Sequence, residues 1–175
     1  MEKAYFAGGC FWCITPTFRE MEGVAAVTSG YSGGLEADPT YEAVKQQRTG
    51  HRECICIEYD PLQVSYETLL QIYLDSVDPF DADGQFIDRG FSYTLAVYYL
   101  TEGEQRIATD MLAKLQQLAG KEPFVAVEPF RNFYVAEPYH QDYDLKNPEA
   151  FRQELEHSGR LQYQAEKEGG DLGKR

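Results

Sequence analysis

The order of hydrophobic and polar positions in this chain changes its period several times, which predicts strands and helices in alternation. The clearest strand signal lies between Phe91 and Leu100, and between Arg52 and Tyr59 the side chains alternate between two faces. Five strands are predicted in all: residues 4–7, 24–27, 52–59, 91–100 and 125–130, of which the fifth is expected to be the last.

Apolar residues at helical spacing predict helices between these strands. Ser65 is suited to cap one helix, and Thr101 with Glu104 forms a capping box for the best-defined helix, which Gly120 ends. A short helix is predicted over residues 41–47. Residues 29–34 and 78–90 are rich in glycine, serine or aspartate and predict loops.

Together these elements predict an α+β fold, namely a two-layer α/β sandwich with a mixed central sheet, as a variation on the ferredoxin-like arrangement. Its long loops are expected to carry function. We expect a single catalytic domain over residues 1–165 and a polar, mobile tail over residues 166–175.

The composition narrows the classes of function. The chain has 175 residues with a formal net charge of −13, which argues against nucleic acid or an anionic membrane as a partner. No apolar run approaches the ~20 residues that span a bilayer. Met1 leads directly into the first strand and leaves no room for a signal peptide, so we expect a cytoplasmic protein.

A Cys-x-x-Cys pair, Cys10 and Cys13, follows the first strand and two glycines. The field at a helix N-terminus favours the thiolate of Cys10, which indicates a redox or nucleophilic enzyme. Pro16 leaves two alternatives: the helix begins at Pro16, or it begins near Cys10 and bends at Pro16. Structural zinc is a further alternative, although Cys54-x-Cys56 does not supply the usual second pair.

Glu53 shares a strand face with Ile55, Ile57 and Tyr59. A carboxyl group among such residues is desolvated, its pKa rises, and it becomes a candidate general acid. The alternatives are that Glu53 lies in water at the strand end, or that it pairs with Arg52 or His51.

Two tyrosines and the remaining cysteines allow more than one interpretation. Tyr31 is predicted to lie on a flexible loop, where it either donates a hydrogen bond to a ligand or packs on the core. Tyr93 starts the fourth strand and is either a ligand donor or a core residue. Cys54 and Cys56 are predicted on the sheet face opposite Glu53, either as small buried residues or as relay thiols.

Several motifs in the same order resemble those of the A-type peptide-methionine sulfoxide reductases. The resemblance runs from residue 5 to about residue 143. The motifs are Gly8-Gly9-Cys10-Phe11-Trp12, Gly30-Tyr31-Ser32-Gly33-Gly34, Thr49-Gly50-His51-Arg52-Glu53, Gly84-Gln85-Phe86-Ile87-Asp88-Arg89-Gly90, and Ala136-Glu137-Pro138-Tyr139-His140-Gln141.

The resemblance implies reduction of the S epimer of methionine sulfoxide, free or in oxidised proteins, by a monomer that needs no cofactor or metal. Thioredoxin or a similar dithiol is the implied reductant. The implied roles are Cys10 as nucleophile, Glu53 as proton donor, Tyr31 and Tyr93 as hydrogen-bond donors to the sulfoxide oxygen, Phe11 and Trp12 as the methyl pocket, and Asp88 and His140 as further substrate contacts.

The chain departs from a common family pattern because no cysteine follows Cys56. A thiol in the C-terminal tail therefore cannot resolve the sulfenic acid on Cys10. We expect Cys13 to do so, since residues three apart on a helix lie ~5–6 Å from each other. Cys56 and Cys54 are the fallback choices. The alternative function is a general thioredoxin-like thiol–disulfide oxidoreductase, and a zinc-stabilised or partner-binding module is a third.

Overall fold

The computed structural model describes residues 1–172 and is built around one six-stranded sheet. Its strands are β1 (Glu2–Gly8), β2 (Val24–Ser32), β3 (Arg52–Tyr59), β6 (Leu95–Tyr99), β7 (Val125–Pro129) and β8 (Tyr134–Val135). A separate two-stranded hairpin consists of β4 (Gly84–Gln85) and β5 (Asp88–Arg89).

Within residues 1–172, seven α-helices and two 3₁₀ turns lie between the strands or after the last one. The helices are α1 (Phe11–Arg19), α2 (Tyr41–Lys45), α3 (Tyr66–Ser76), α4 (Glu102–Ala119), α5 (Tyr143–Lys146), α6 (Pro148–Ser158) and α7 (Arg160–Leu172). The 3₁₀ turns are Phe91–Tyr93 and Pro138–His140. None of these described helices combines the length and the apolar character that a membrane span requires.

The central sheet is mixed, as predicted. Its strand order is β7-β6-β1-β3-β2-β8, and every neighbouring pair is antiparallel except β6 and β7, which are parallel. In the β2–β3 pair, Tyr31 lies directly opposite Glu53. Because directly opposed residues point to the same face, both side chains point to one side of the sheet.

The two faces of the sheet have different covers. Phe6, Ile55 and Ile57 point toward the helices and belong to the main core, together with residues of α1 and α3. Cys54 and Cys56 belong to a smaller cluster on the other face, against which Phe130 and Phe133 pack. The predicted alternation along β3 is therefore confirmed, as is the layered arrangement of helices on a mixed sheet.

Several predicted helix ends are confirmed by their capping contacts. Ser65 accepts a hydrogen bond from the backbone N–H of Thr68, and Thr101 accepts one from Glu104. Glu104 in turn accepts from the backbone N–H of Leu100. Gly120 closes α4 in the left-handed conformation, with a φ of 70°.

The predicted loop over residues 29–34 is wrong in its first part, because β2 continues to Ser32. Tyr31 is therefore a fully buried strand residue and does not lie on a flexible loop. The prediction was wrong because Gly30 was taken as a loop residue. The strand has a glycine at this position because a Cβ there would collide with Phe133 and with the backbone of Tyr134.

Further corrections concern the fourth and fifth strands. Tyr93 lies in a 3₁₀ turn before β6 and does not start the strand. The strand β7 is not the last, because β8 follows it and adds to the far edge of the sheet next to β2. The sequence analysis also did not predict α5 and α6, which follow the 3₁₀ turn Pro138–His140.

The predicted tail begins inside α7, which continues to Leu172. Residues 166–172 are therefore helical, and residues 173–175 lie outside the described part of the chain. The mobility of this segment and the domain boundary at residue 165 remain predictions.

Two consecutive glycines make the turn from β1 into α1 possible. A Cβ on Gly8 would collide with the side chain of Ile14. Gly9 has a φ of +80°, and a Cβ there would lie 2.7 Å from the Cβ of Gln85. Gln85 is itself fixed, because its buried amide donates to the carbonyls of Asp78 and Gly84 and accepts from the N–H of Asp78. The turn that presents Cys10 is thus packed against an immobilised side chain.

We predict that Gly9→Ala destabilises the protein more than Gly120→Ala. Both positions have positive φ, which costs about 1–2 kcal/mol for a residue with a Cβ. Only Gly9 also has a neighbour within contact distance, since nothing lies within 4 Å of a Cβ on Gly120. Urea unfolding measures the two changes in unfolding free energy, and equal changes would contradict the packing argument.

Candidate active site

The start of α1 brings Cys10 to Glu53. Cys10 is the N-cap residue of α1, so the helix begins near Cys10 and contains Pro16, and a start at Pro16 is wrong. The bend at Pro16 remains a prediction. The backbone N–H of Phe11 donates to Glu53 Oε2 at 3.0 Å. This N–H belongs to the first turn, where backbone donors lack partners within the helix. A side chain from β3 therefore provides the acceptor that the helix start needs.

Glu53 is a deeply buried carboxyl group. Only 2% of its surface is exposed, and this burial raises its pKa well above the ordinary value, although the hydrogen bond from Phe11 opposes the shift. The charge of Asp88 raises the pKa further. The predicted elevation is thus confirmed. Both alternatives are wrong. Glu53 does not lie in water, and its basic neighbours have other partners, since Arg52 pairs with Glu128 and His51 bonds to the backbone of Gly34 and Glu36.

Cys10 and Cys13 lie one turn apart at the start of α1, where the backbone N–H of Cys13 donates to the Cys10 carbonyl at 3.1 Å. The neighbouring Cys13 thiol, burial and the carboxyl groups of Glu53 and Asp88 raise the pKa of Cys10. The Cys10 thiol and the charge of Arg160 lower the pKa of Cys13. These directions are opposite to the expectation that the thiolate is favoured on Cys10.

Tyr31 contributes to the site through Glu137. Its hydroxyl donates to Glu137 Oε1 at 2.8 Å, and Glu137 Oε2 accepts the backbone N–H of Tyr41 at 3.0 Å. Glu137 therefore joins β2 to the start of α2. A hydrogen bond from Tyr31 to a substrate oxygen would first have to break its bond to Glu137.

Two other tyrosines keep their hydroxyl groups free beside Glu53. Among the described residues, nothing accepts a hydrogen bond from the hydroxyl of Tyr41 or Tyr93. Burial raises the pKa of both, and the charges of Glu53 and Cys10 raise them further. Tyr41 was given no role from the sequence, where its one signal is its place in the motif Pro39-Thr40-Tyr41-Glu42, which also resembles the family.

The position of Tyr93 depends on hydrogen bonds between the side chain of Gln47 and the 3₁₀ turn Phe91–Tyr93. Gln47 follows α2, and its amide donates to Ser92 Oγ at 2.8 Å and accepts the Ser92 backbone N–H at 2.9 Å. This pair of bonds holds the 3₁₀ turn that carries Tyr93 against the end of the helix that carries Tyr41.

Aromatic side chains surround Trp12 on the first turn of α1. Trp12 Nε1 donates to His140 Nδ1 at 3.1 Å, and the Trp12 ring stacks on Tyr143 at 3.7 Å. Because Nδ1 accepts this bond, a neutral His140 carries its proton on Nε2, which is buried and has no partner among the described residues. Burial lowers the pKa of His140 and keeps it neutral. Phe11 is 1% exposed and packs between His140 and Tyr31.

The outer wall of the site contains acidic groups. Asp88 in β5 is partly buried, which raises its pKa, while Arg160 and Lys45 oppose the shift. Asp88 and Glu154 border an open surface cavity of about 390 Å³, together with Tyr143. The charges of Asp88 and Glu154 also raise the pKa of Cys13.

The other cysteines lie apart from this site. Cys54 and Cys56 are buried on the opposite face of the sheet, where desolvation raises the pKa of both. All four cysteines are free thiols. Within residues 1–172, no cluster of three or more His, Cys, Asp or Glu side chains is arranged to hold a metal ion.

Comparison with known proteins agrees with this geometry. The family model described as peptide methionine sulfoxide reductase matches residues 2–171. The chain belongs to the peptide methionine sulfoxide reductase family. It is 46% identical over 156 residues to the peptide methionine sulfoxide reductase MsrA of Streptococcus pyogenes serotype M1, covering 87% of this chain and 92% of the relative.

Solved structures of this family share the fold. The reduced form of Mxr1 from Saccharomyces cerevisiae superimposes with a TM-score of 0.80 at 26% identity, covering 85% of this chain and 86% of the other. Methionine sulfoxide reductase A of Corynebacterium diphtheriae gives a TM-score of 0.76 at 29% identity, covering 84% and 75%. The chain is thus an oxidoreductase that reduces methionine sulfoxide, and the alternative of a general thiol–disulfide oxidoreductase is not favoured.

We predict that the stability advantage of the protonated Glu53 is lost at high pH. Because the pKa is raised in the folded state, this contribution is complete below about 4.3, the ordinary value for Glu, and it disappears as pH rises through the folded pKa. Wild type should therefore lose stability relative to Glu53→Gln by at most about 1.4 kcal/mol per pH unit in that range.

Urea unfolding at a series of pH values measures this difference. Glu58→Gln removes a carboxyl group from the other face of the same strand, where Glu58 pairs with Lys3, and serves as the control. A stability difference between wild type and Glu53→Gln that does not change with pH would contradict the elevated pKa.

Proposed function

We propose that the chain reduces the S epimer of methionine sulfoxide with Cys10 as nucleophile and Glu53 as proton donor. The observation that carries this proposal is a carboxyl group with a raised pKa, fixed by the N–H of Phe11 next to Cys10. A sulfoxide oxygen is a poor leaving group until it gains a proton. A neutral buried acid beside a thiol supplies both requirements.

In the proposed first step, the Cys10 thiolate attacks the sulfoxide sulfur while Glu53 gives its proton to the oxygen. The hydroxyl group passes to Cys10, methionine leaves, and Cys10 becomes a sulfenic acid. Glu53 ends as a carboxylate and regains its proton from solvent. The Cys10 thiolate itself forms when its proton moves to the neighbouring Cys13 thiolate.

We assign the hydrogen bonds to the sulfoxide oxygen to Tyr41 and Tyr93, whose hydroxyl groups are free beside Glu53. This revises the expectation for Tyr31, whose bond to Glu137 makes it a support for Tyr41. Trp12, held by His140 and Tyr143, and Phe11 beneath it are proposed to receive the substrate methyl group. Asp88 and His140 complete the proposed contacts, with Asp88 at the outer wall.

A stereochemical assay tests the reaction. Purified protein is given the separate S and R epimers of N-acetyl-methionine sulfoxide with dithiothreitol, and the methionine product is quantified. We expect reduction of the S epimer alone, and none by Cys10→Ser. Equal reduction of both epimers, or turnover above a few per cent by Cys10→Ser, would contradict the proposed arrangement.

We further propose that Cys13 resolves the sulfenic acid. Cys13 gives up its proton, its thiolate forms the disulfide with Cys10, and the hydroxyl group leaves as water after it takes a proton from solvent. Cys13 lies one turn from Cys10, with its backbone N–H donating to the Cys10 carbonyl at 3.1 Å, which supports this assignment. Cys54 and Cys56 lie on the opposite face of the sheet.

We predict that Cys13→Ser produces about one equivalent of methionine per chain and then stops, when thioredoxin, its reductase and NADPH are the reducing system. Cys56→Ser is the matched control and should turn over like wild type. Continuous turnover by Cys13→Ser would assign the resolving role to another thiol.

Thioredoxin is the proposed reductant, and oxidised proteins and free methionine sulfoxide are the proposed substrates. The structure of yeast Mxr1 in complex with Trx2 supports the choice of thioredoxin. We also propose that the protein acts as a monomer in the cytoplasm. The steps above use side chains of one chain, and a disulfide that must be reduced in each cycle suits a reducing compartment.

A further inference from the structure

Arg160 is a buried cation at the start of α7. It is 5% exposed, and no carboxylate among the described residues forms a salt bridge with it. Its Nε has no hydrogen-bond partner among the described residues. A buried guanidinium in this condition carries a desolvation cost, which a nearby anion would offset.

The surroundings of Arg160 hold it in one place. Gly159 adopts a φ of 83° between α6 and α7. One Arg160 nitrogen, Nη1, donates to the carbonyl of Ser76 at the C-terminus of α3 at 3.0 Å. The guanidinium also lies 4.6 Å from the ring centre of Phe86. These contacts orient the group, and its charge acts on Asp88 and on Cys13 without a direct salt bridge to a described residue.

This fixed cation lies against the turn that carries the thiol pair. Its Nη2 would be 3.6 Å from a Cβ on Gly9, the residue before Cys10. The charged or titratable groups that act on Cys13 come from several elements: Cys10 on α1, Glu53 on β3, Asp88 on β5, Glu154 on α6 and Arg160 on α7. Arg160 is the cation in this set, and three of the others are carboxyl groups.

We propose that Arg160 is a positioning residue that stabilises the anionic form of Cys13 and thereby prepares Cys13 to close the disulfide on Cys10. This inference rests on the proposed role of Cys13 in the reduction of methionine sulfoxide. In the step concerned, the Cys13 thiolate attacks the sulfur of the Cys10 sulfenic acid. The S–S bond forms, the S–O bond breaks, and the oxygen leaves as water after it takes a proton from solvent.

The size of the effect follows from the chemistry of thiols. A shift of one pKa unit lowers the thiolate fraction about tenfold when the pKa lies above the ambient pH. The higher pKa raises the intrinsic nucleophilicity about threefold, because reactivity follows pKa with a coefficient near 0.4–0.5. Loss of the Arg160 charge should therefore slow disulfide formation about three- to fourfold.

The direct test measures the titration of Cys13 and does not need turnover. In a Cys10→Ser background, the rate of alkylation of Cys13 by iodoacetamide is followed against pH, with the modified peptide identified by mass spectrometry. We expect the Cys13 pKa to lie below about 8.5, the ordinary value for Cys. Arg160→Gln should raise it by about one unit, and Arg160→Lys should restore most of the shift because the charge returns.

Lys167→Gln is the matched control. It removes a positive charge from the same helix, where Lys167 donates to the carbonyl of Asp75 near the end of α3. A purely structural role for Arg160 predicts loss of stability in Arg160→Gln with an unchanged Cys13 titration, and that result would overturn the proposal.

If Arg160→Gln does not fold, the background protein alone decides. A Cys13 pKa at or above 8.5 with Arg160 intact would overturn the proposal. Failure of the proposed function is a separate result, since it would appear as absence of sulfoxide reduction by wild type and would leave the alkylation profiles intact.

Discussion

The hydrogen bond from the Phe11 backbone N–H to Glu53 is the interaction on which the active site depends. It lies where the first turn of α1 meets β3, and it fixes a carboxyl group beside the N-cap cysteine. Burial favours the neutral acid, while this bond favours the carboxylate, so the residue is suited both to hold a proton and to release it. Gly8 and Gly9 allow the approach, because a larger residue at either position would collide with its neighbours.

The rest of the site is arranged around this contact by polar clamps between elements that are distant in sequence. Glu137 joins Tyr31 of β2 to Tyr41 of α2, and Gln47 holds the turn that carries Tyr93. The result is a site in which no described residue accepts a hydrogen bond from the hydroxyl groups of two tyrosines that lie near a neutral acid. On this account, the buried tyrosines and glutamates serve mainly to orient a few donors, and the thiol pair performs the redox chemistry.

The alternation along β3 was sufficient to predict that Glu53 is buried and that Cys54 and Cys56 lie on the other face, because a side-chain period of two is a local property. The caps of α3 and α4 were predictable for the same reason. The role of Tyr31 was not predictable. Gly30 suggested a loop, whereas it is a strand residue next to Phe133, which is distant in sequence. Arg160 carries no local signal, because only the approach of α7 to the end of α3 and to the turn before α1 brings it near the thiol pair.

The most direct test of this account is the pH dependence of a single turnover. The rate at which wild type and Glu53→Gln form the first equivalent of methionine from the S epimer is measured across neutral and alkaline pH. If Glu53 is the acid, the wild-type rate falls as pH rises through its raised pKa, and Glu53→Gln is slow throughout and loses this decline while still binding substrate. A variant as fast as wild type, with the same pH profile, would contradict the central claim that the buried carboxyl group protonates the sulfoxide oxygen.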